Sequence, residues 1–316
     1  MEELPTYIKP SLPVSITTPT STNNYIMLVR KHYLIAISWP WSYKKTEVFG
    51  QNTSRLLNVS LVTIPSSLTF ISEHETDGAC YSANHRQDGD ILIGTHNGIQ
   101  LLSRDGNELS EYSSSEKVVT GVIETPQNVF ILHRESDISK VEMCLAGDIT
   151  KRQQLFQFDR TGNGAAVMAV SDRYVVVNHP DTKQLIIYDF ITKQTETIHP
   201  DVYLLGLHFL PDGHLLGAGG YKLIKYKIEN GKLTTVWTCD GVTDGYSVCT
   251  DANGLIYVSG KGLKSLYIIS LSGVLLKTLT HDKLPSVFGG VPSIRDGILA
   301  VPGWGDKKVY LFEIET

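Results

Sequence analysis

The sequence has no paired cysteines, no long apolar run and no excess of basic charge. Its 316 residues hold four cysteines, Cys80, Cys144, Cys239 and Cys249, each isolated and none in a C-x-x-C pair. That spacing offers neither a zinc knuckle nor a disulfide framework, so the thiols read as reduced core residues of a cytoplasmic protein. No stretch approaches the roughly 18 consecutive apolar residues that a bilayer demands, so no membrane association is expected. Met1, Glu2 and Glu3 supply neither the basic start nor the apolar core of a signal peptide. A net charge of −5, from 28 Lys and Arg against 33 Asp and Glu, gives no global field to draw in nucleic acid.

Catalytic signatures are missing as well. There is no G-x-S-x-G elbow, no H-E-x-x-H, no EF-hand loop and no G-x-x-x-x-G-K. Gly217-Ala218-Gly219-Gly220 has the composition of a phosphate cradle, but it joins two apolar runs and opens no helix whose N-terminus could hold an anion. It is expected to be a strand-to-strand loop, and no cofactor is expected.

What the chain does contain is a repeated unit, cleanest at residues 245–279. Gly245 leads into an apolar run at 246–250, and the turn Asp251-Ala252-Asn253-Gly254 leads to a second run at 255–259. A third run follows at 266–270, then Leu271-Ser272-Gly273, then a fourth at 274–279. Four short runs rich in β-branched and aromatic residues, punctuated by Asn-Gly and Ser-Gly, form an antiparallel meander. Such a sheet cannot bury both faces alone and needs copies of itself on either side. Glycines open equivalent units at Gly78, Gly121, Gly164, Gly206, Gly245 and Gly290, in steps of 43, 43, 42, 39 and 45 residues. A period near 43 with four strands per period predicts an all-β β-propeller of four-stranded antiparallel blades.

The blade count depends on the N-terminal part. Runs at 25–29 and 33–38 around Arg30-Lys31-His32 have the shape of 166–170 and 174–178, with runs at 46–49 and 59–64 as third and fourth strands. The last unit supplies three strands, at 292–294, 298–301 and 309–314, before the chain stops. The expectation is therefore one domain over residues 1–316, a seven-bladed propeller whose last blade is completed by an N-terminal strand at 12–17 within a lead of about 20 residues. Closure of that kind removes an open sheet edge. Six blades is the alternative, with residues 20–65 as an irregular lead-in.

Residues 251–259 followed by 266–273 resemble the NHL-type propeller repeat, and residues 173–178 followed by 185–189 resemble the YVTN-type repeat. The likeness spans two repeat types and assigns no single family. NHL-type propellers bind proteins or RNA, which makes binding the function the resemblance implies. Hydrolytic and lactonase propellers hold calcium with polar side chains in the central channel. Here the starts of the innermost strands are glycine followed by small or apolar residues, which offer a hard cation little.

Aligned units end their second strand in histidine three times running, at His96, His133 and His179. Three histidines suggest a metal site. Yet the second strand lies about 4.8 Å outside the channel strand, so equivalent positions diverge between blades and bonds near 2 Å become hard to arrange. The alternative is polar loop residues facing water. The loops after those positions share one face of the disc and carry Trp39, Trp41, Tyr43, Arg134, Tyr221, Lys261 and Trp304. With seven blades, Trp304 would neighbour Trp39 and Trp41. Tryptophan, tyrosine and arginine dominate binding energy at interfaces. The reading is a binding or scaffold module for a protein or peptide partner on that face. A hydrolase- or lyase-type enzyme using the histidine arc is the alternative, and an RNA-binding propeller a second.

Overall fold

The structure is a computed structural model, and it describes residues 25–30, 33–38, 58–104, 107–113, 118–160, 164–179, 182–229, 231–260, 262–288 and 290–316. The chain divides into two compact units, residues 1–65 with Thr316, and residues 66–315. In the first, Tyr25–Arg30, Tyr33–Ser38 and Asn58–Thr63 form a three-stranded antiparallel sheet in chain order. The second is a ring of six four-stranded sheets.

From inside to outside, blade 1 is Cys80–His85, Ile91–Thr95, Gly98–Leu102 and Glu108–Ser113, and blade 2 is Val118–Glu124, Asn128–Arg134, Ile138–Leu145 and Asp148–Asp159. Blade 3 is Met168–Val170, Tyr174–Asn178, Leu185–Asp189 and Gln194–Ile198, and blade 4 is Gly206–Phe209, Leu215–Gly219, Lys222–Glu229 and Lys232–Cys239. Blade 5 is Gly245–Thr250, Ile256–Gly260, Ser265–Ile269 and Leu275–Thr280. Blade 6 takes Ser293–Arg295, Ile298–Gly303 and Lys308–Glu315 from the end of the chain and Ser67–Glu75 from before blade 1.

The seven-bladed expectation is thereby corrected to six. The outer place in the last blade, assigned in sequence to residues 12–17, is held by Ser67–Glu75, which pairs with Lys308–Glu315 from Lys308↔Glu75 to Glu315↔Ser67. The runs at 12–17 and 46–49 lie outside the described residues. The hairpin of Tyr25–Arg30 with Tyr33–Ser38 is present, but its sheet belongs to the first unit.

Local chemistry explains the turns. Between the first two strands of blade 5, the Asp251 carboxylate accepts from the backbone of Asn253 and Leu255, both at 2.9 Å, and Gly254 takes φ +81°. Asp212 and Asp88 each accept from the backbone N–H two residues on, and Gly213 and Gly89 follow them in the left-handed region. The Asp side chain stands in for a turn bond, and glycine takes the φ that side chains avoid. Second and third strands are buried throughout blade 5, whereas Gln194–Ile198 on the rim of blade 3 is exposed for four of its five residues. Core clusters are accordingly shared by neighbouring blades. Val176 and Ile187 of blade 3 pack with Leu207 and Leu215 of blade 4, and Ile91 and Ile93 of blade 1 with Val309 and Leu311 of blade 6.

Polar side chains bolt adjacent inner strands together. Ser82 Oγ and Asn84 Oδ1 of blade 1 accept from Val122 N and Glu124 N of blade 2, and Asn178 Nδ2 of blade 3 donates to Leu204 O beside blade 4. At the ring junction Ala83 N donates to Val291 O at 3.1 Å. Gly217, Ala218 and Gly219 lie inside the second strand of blade 4 rather than in a loop, which corrects the sequence reading. A Cβ on Gly219 would land on the Tyr203 carbonyl. Among the described residues, all four cysteines are free and buried, and no helix is long and apolar enough to cross a membrane.

Candidate functional site

The ring encloses a channel that widens at the end where the innermost strands begin. A cavity of about 500 Å³ lies there, lined by residues 164–167 and Leu205 and by Tyr81, Thr120, Tyr246, Val287, Arg134 and Trp304. Its shape follows from the periodic glycines. A Cβ on Gly206 would stand 2.7 Å from Ser247 Cα, and one on Gly290, at φ +104°, would strike the Tyr81 carbonyl. The strands begin where neighbouring backbones crowd, and only glycine fits. Tyr81 and Tyr246, beside these crowded strand starts, are aromatic residues of the wall.

Arg134 ends the second strand of blade 2, and Trp304 opens the loop that follows the second strand of blade 6. They come from the residues singled out in sequence, and they line the same cavity. Trp304 is 49% exposed, and its backbone N–H donates to Val287 O at 3.2 Å. Arg134 is the single charged side chain among the described residues of the wall. Burial pushes the Tyr246 phenol above its ordinary pKa, so it stays protonated. A volume in the 300–1,000 Å³ range typical of ligand sites, with three aromatics and one cation, fits an apolar or aromatic group that carries or neighbours a carboxylate.

The other expected site residues fall elsewhere. Tyr221 is exposed in the corresponding loop of blade 4 and does not line the cavity. Trp39, Trp41, Tyr43 and Lys261 lie outside the described residues. The expected juxtaposition of Trp304 with Trp39 and Trp41 rested on a seventh blade, and in the six-bladed ring blade 6 adjoins blade 1. Trp237 lies on the outer strand of blade 4, and its Nε1–H donates to Leu271 O of blade 5 at 3.1 Å.

The three histidines have separate roles. His96 is exposed, and its Cβ occupies the space left by Gly78. His133 is fully buried, 3.2 Å from Glu142, which also faces Arg152 at 3.6 Å. His179 is buried, with Nε2 2.9 Å from Asp159 O, so that nitrogen carries the proton. His133 and His179 therefore do not face water, and no group of three or more His, Cys, Asp or Glu among the described residues is placed to hold a metal ion.

Sequence reasoning missed the other end of the channel, where the innermost strands finish. Asn84, His85, His208, Thr250, Ser293 and Arg295 surround a smaller cavity of about 200 Å³. His85 Nδ1 is 2.8 Å from Ser293 Oγ, and His208 Nε2 is 2.9 Å from Thr250 Oγ1. Burial pushes both imidazoles down to about 4, the Arg295 charge adding to the effect at His85. The signal was available as a polar residue at or near the finish of five of the six inner strands, four of which bring such a residue to the cavity.

No family model matches the chain, and no curated protein matches it. Solved structures do, at the level of fold. A Bacteroides thetaiotaomicron protein of unknown function is 11% identical with a TM-score of 0.60, covering 97% of this chain and 99% of its own. A putative gluconolactonase is 13% identical with a TM-score of 0.56, covering 78% and 92%. A chain of the mitotic checkpoint complex is 11% identical with a TM-score of 0.54, covering 88% and 99%. The shared fold is the β-propeller, which serves both protein assemblies and enzyme-like proteins.

Proposed function

We propose that this chain is a binding module that recognises a protein or peptide partner at the wide mouth of its channel. The observation that carries this reading is the convergence of Arg134 and Trp304, from blades 2 and 6, on one cavity with Tyr81 and Tyr246. A half-exposed tryptophan on a rigid rim loses little entropy when covered, and an arginine beside it supplies a charge-assisted bond to a carboxylate. The partner segment is one that inserts an aromatic or aliphatic side chain next to an acidic group or a C-terminal carboxylate. A similar fold in the mitotic checkpoint complex supports a role in assemblies. Screening the chain against a peptide library displayed with free and with amidated C-termini tests the reading. The expected result is enrichment of apolar peptides bearing a carboxylate, lost with Arg134→Gln. Enrichment indifferent to that substitution places recognition elsewhere.

A further inference from the structure

The narrow mouth, on the opposite face, shares no lining residue with the wide one. We propose that it is a separate binding site for a small organic carboxylate of about benzoate size. Three observations carry this. The first is volume: about 200 Å³ is of the order of the ~150 Å³ cavities that admit benzene, with room for a carboxylate as well. The second is charge. Arg295 is the one cation at the wall, and among the described residues of the wall no carboxylate opposes it. Its nearest acid, the exposed Asp296, is 3.9 Å from Nε, beyond hydrogen-bond length, so the guanidinium keeps donors for an anion.

The third is the ordering of the polar atoms. Ser293 Oγ accepts from His85 N at 3.0 Å and lies 2.8 Å from His85 Nδ1. When that hydroxyl donates its hydrogen bond to an unprotonated Nδ1, the neutral His85 carries its N–H on Nε2, a second donor for an occupant. Asn84 spends Oδ1 on Glu124 N and keeps its amide N–H₂. The cavity thus offers an arginine and neutral donors on one side and Ile123, Val170 and Phe209 as apolar wall, the mixture that holds an organic acid rather than a bare ion. A doubly charged phosphate would meet only one cation.

Calorimetric titration of the full chain with benzoate, benzamide and inorganic phosphate tests the site, using wild type, Arg295→Gln and Arg134→Gln. Benzoate is expected to bind saturably, with benzamide and Arg295→Gln each weakening binding roughly tenfold or more, the usual scale for a lost charge-assisted bond. The component of benzoate binding that Arg295→Gln removes is expected to persist in Arg134→Gln, which separates this site from the wide mouth. An unchanged melting temperature in Arg295→Gln shows that the fold is intact. No saturable benzoate binding, equal binding of benzamide, tighter binding of phosphate, or loss through Arg134→Gln alone would each overturn the proposal.

Discussion

Phe70 and Phe312 meet edge to face, with ring centroids 5.7 Å apart and planes inclined at 68°. One stands just before blade 1 and the other near the end of the chain, and they are direct partners across the two outer strands of blade 6. Around them the closure is polar. Ser67 Oγ donates to Glu315 at 2.5 Å, Thr69 donates to the same carboxylate, and Lys308 Nζ donates to Glu73 at 2.6 Å. These exposed bonds fix register more than they add stability, whereas the Phe70–Phe312 contact and the covered edge hold the ring shut.

The closure predicts a sharp boundary. A chain that begins at Ser66 retains the six-bladed ring and is expected to unfold cooperatively. One that begins at Gly78 lacks Ser67–Glu75, uncovers Phe312 and leaves Lys308–Glu315 as an open edge. It is expected to lose at least about 2 kcal/mol and to aggregate. Thermal melts and light scattering of the two check this, and equal behaviour would refute closure by Ser67–Glu75.

Much of this architecture could be read in advance, and the failure was specific. Glycine spacing found six units because Gly206 and Gly290 answer a local need, the crowding of neighbouring backbones. The hairpin of Tyr25–Arg30 and Tyr33–Ser38 misled because a two-stranded pattern is the same whether or not its sheet joins a ring. Choosing between residues 12–17 and Ser67–Glu75 for closure is a long-range competition, and short-range pattern carries no information about it. Arg134 and Trp304 were legible because loop positions can be counted along each blade. His85 and His208 were not, because residues at the far ends of the inner strands are brought to face one another only by the curvature of the ring.

Gly290 has a testable consequence. Its φ of +104° is strained for any side chain, and an added Cβ would meet backbone, which cannot move aside. Gly290→Ala is expected to cost about 2 kcal/mol or more. Gly147→Ala, where a Cβ would touch nothing within 4 Å, is the control and is expected to be nearly neutral. Urea midpoints of the two variants make the comparison.

The channel histidines predict an acid-sensitive fold. His85 and His208 titrate ordinarily near 6.5 and are pushed down to about 4 in the folded protein. Around His85 the charged groups are Arg295, Asp296 and Arg104, and His208 owes its shift to burial alone. The unfolded chain therefore takes up protons first as pH falls. Stability is unaffected by these groups above about pH 6.5 and drops from there towards about pH 4. His208→Gln is expected to flatten the fall in melting temperature between about pH 6.5 and pH 5, a window above the titration of most carboxylates. An identical slope in the variant would mean that His208 titrates alike in the folded and unfolded chain.

Trp304 decides the functional reading. It is half exposed and gives the ring little packing, yet it borders the wide cavity with Arg134, Tyr81 and Tyr246. Truncating it should therefore separate binding from folding. Trp304→Ala is expected to cost on the order of 2 kcal/mol in affinity for a selected peptide, with the melting temperature nearly unchanged. Lys232→Ala, on the exposed rim of blade 4, is the appropriate control, because Lys277 donates to Ser66 O at 2.7 Å beside the closure. Arg134→Gln should lose affinity for carboxylate-bearing peptides only, so the double variant with Trp304→Ala should be less than additive where one peptide end spans both groups. If Trp304→Ala lowers stability and affinity equally, the side chain is a brace for blade 6, and the partner surface must be sought away from the channel.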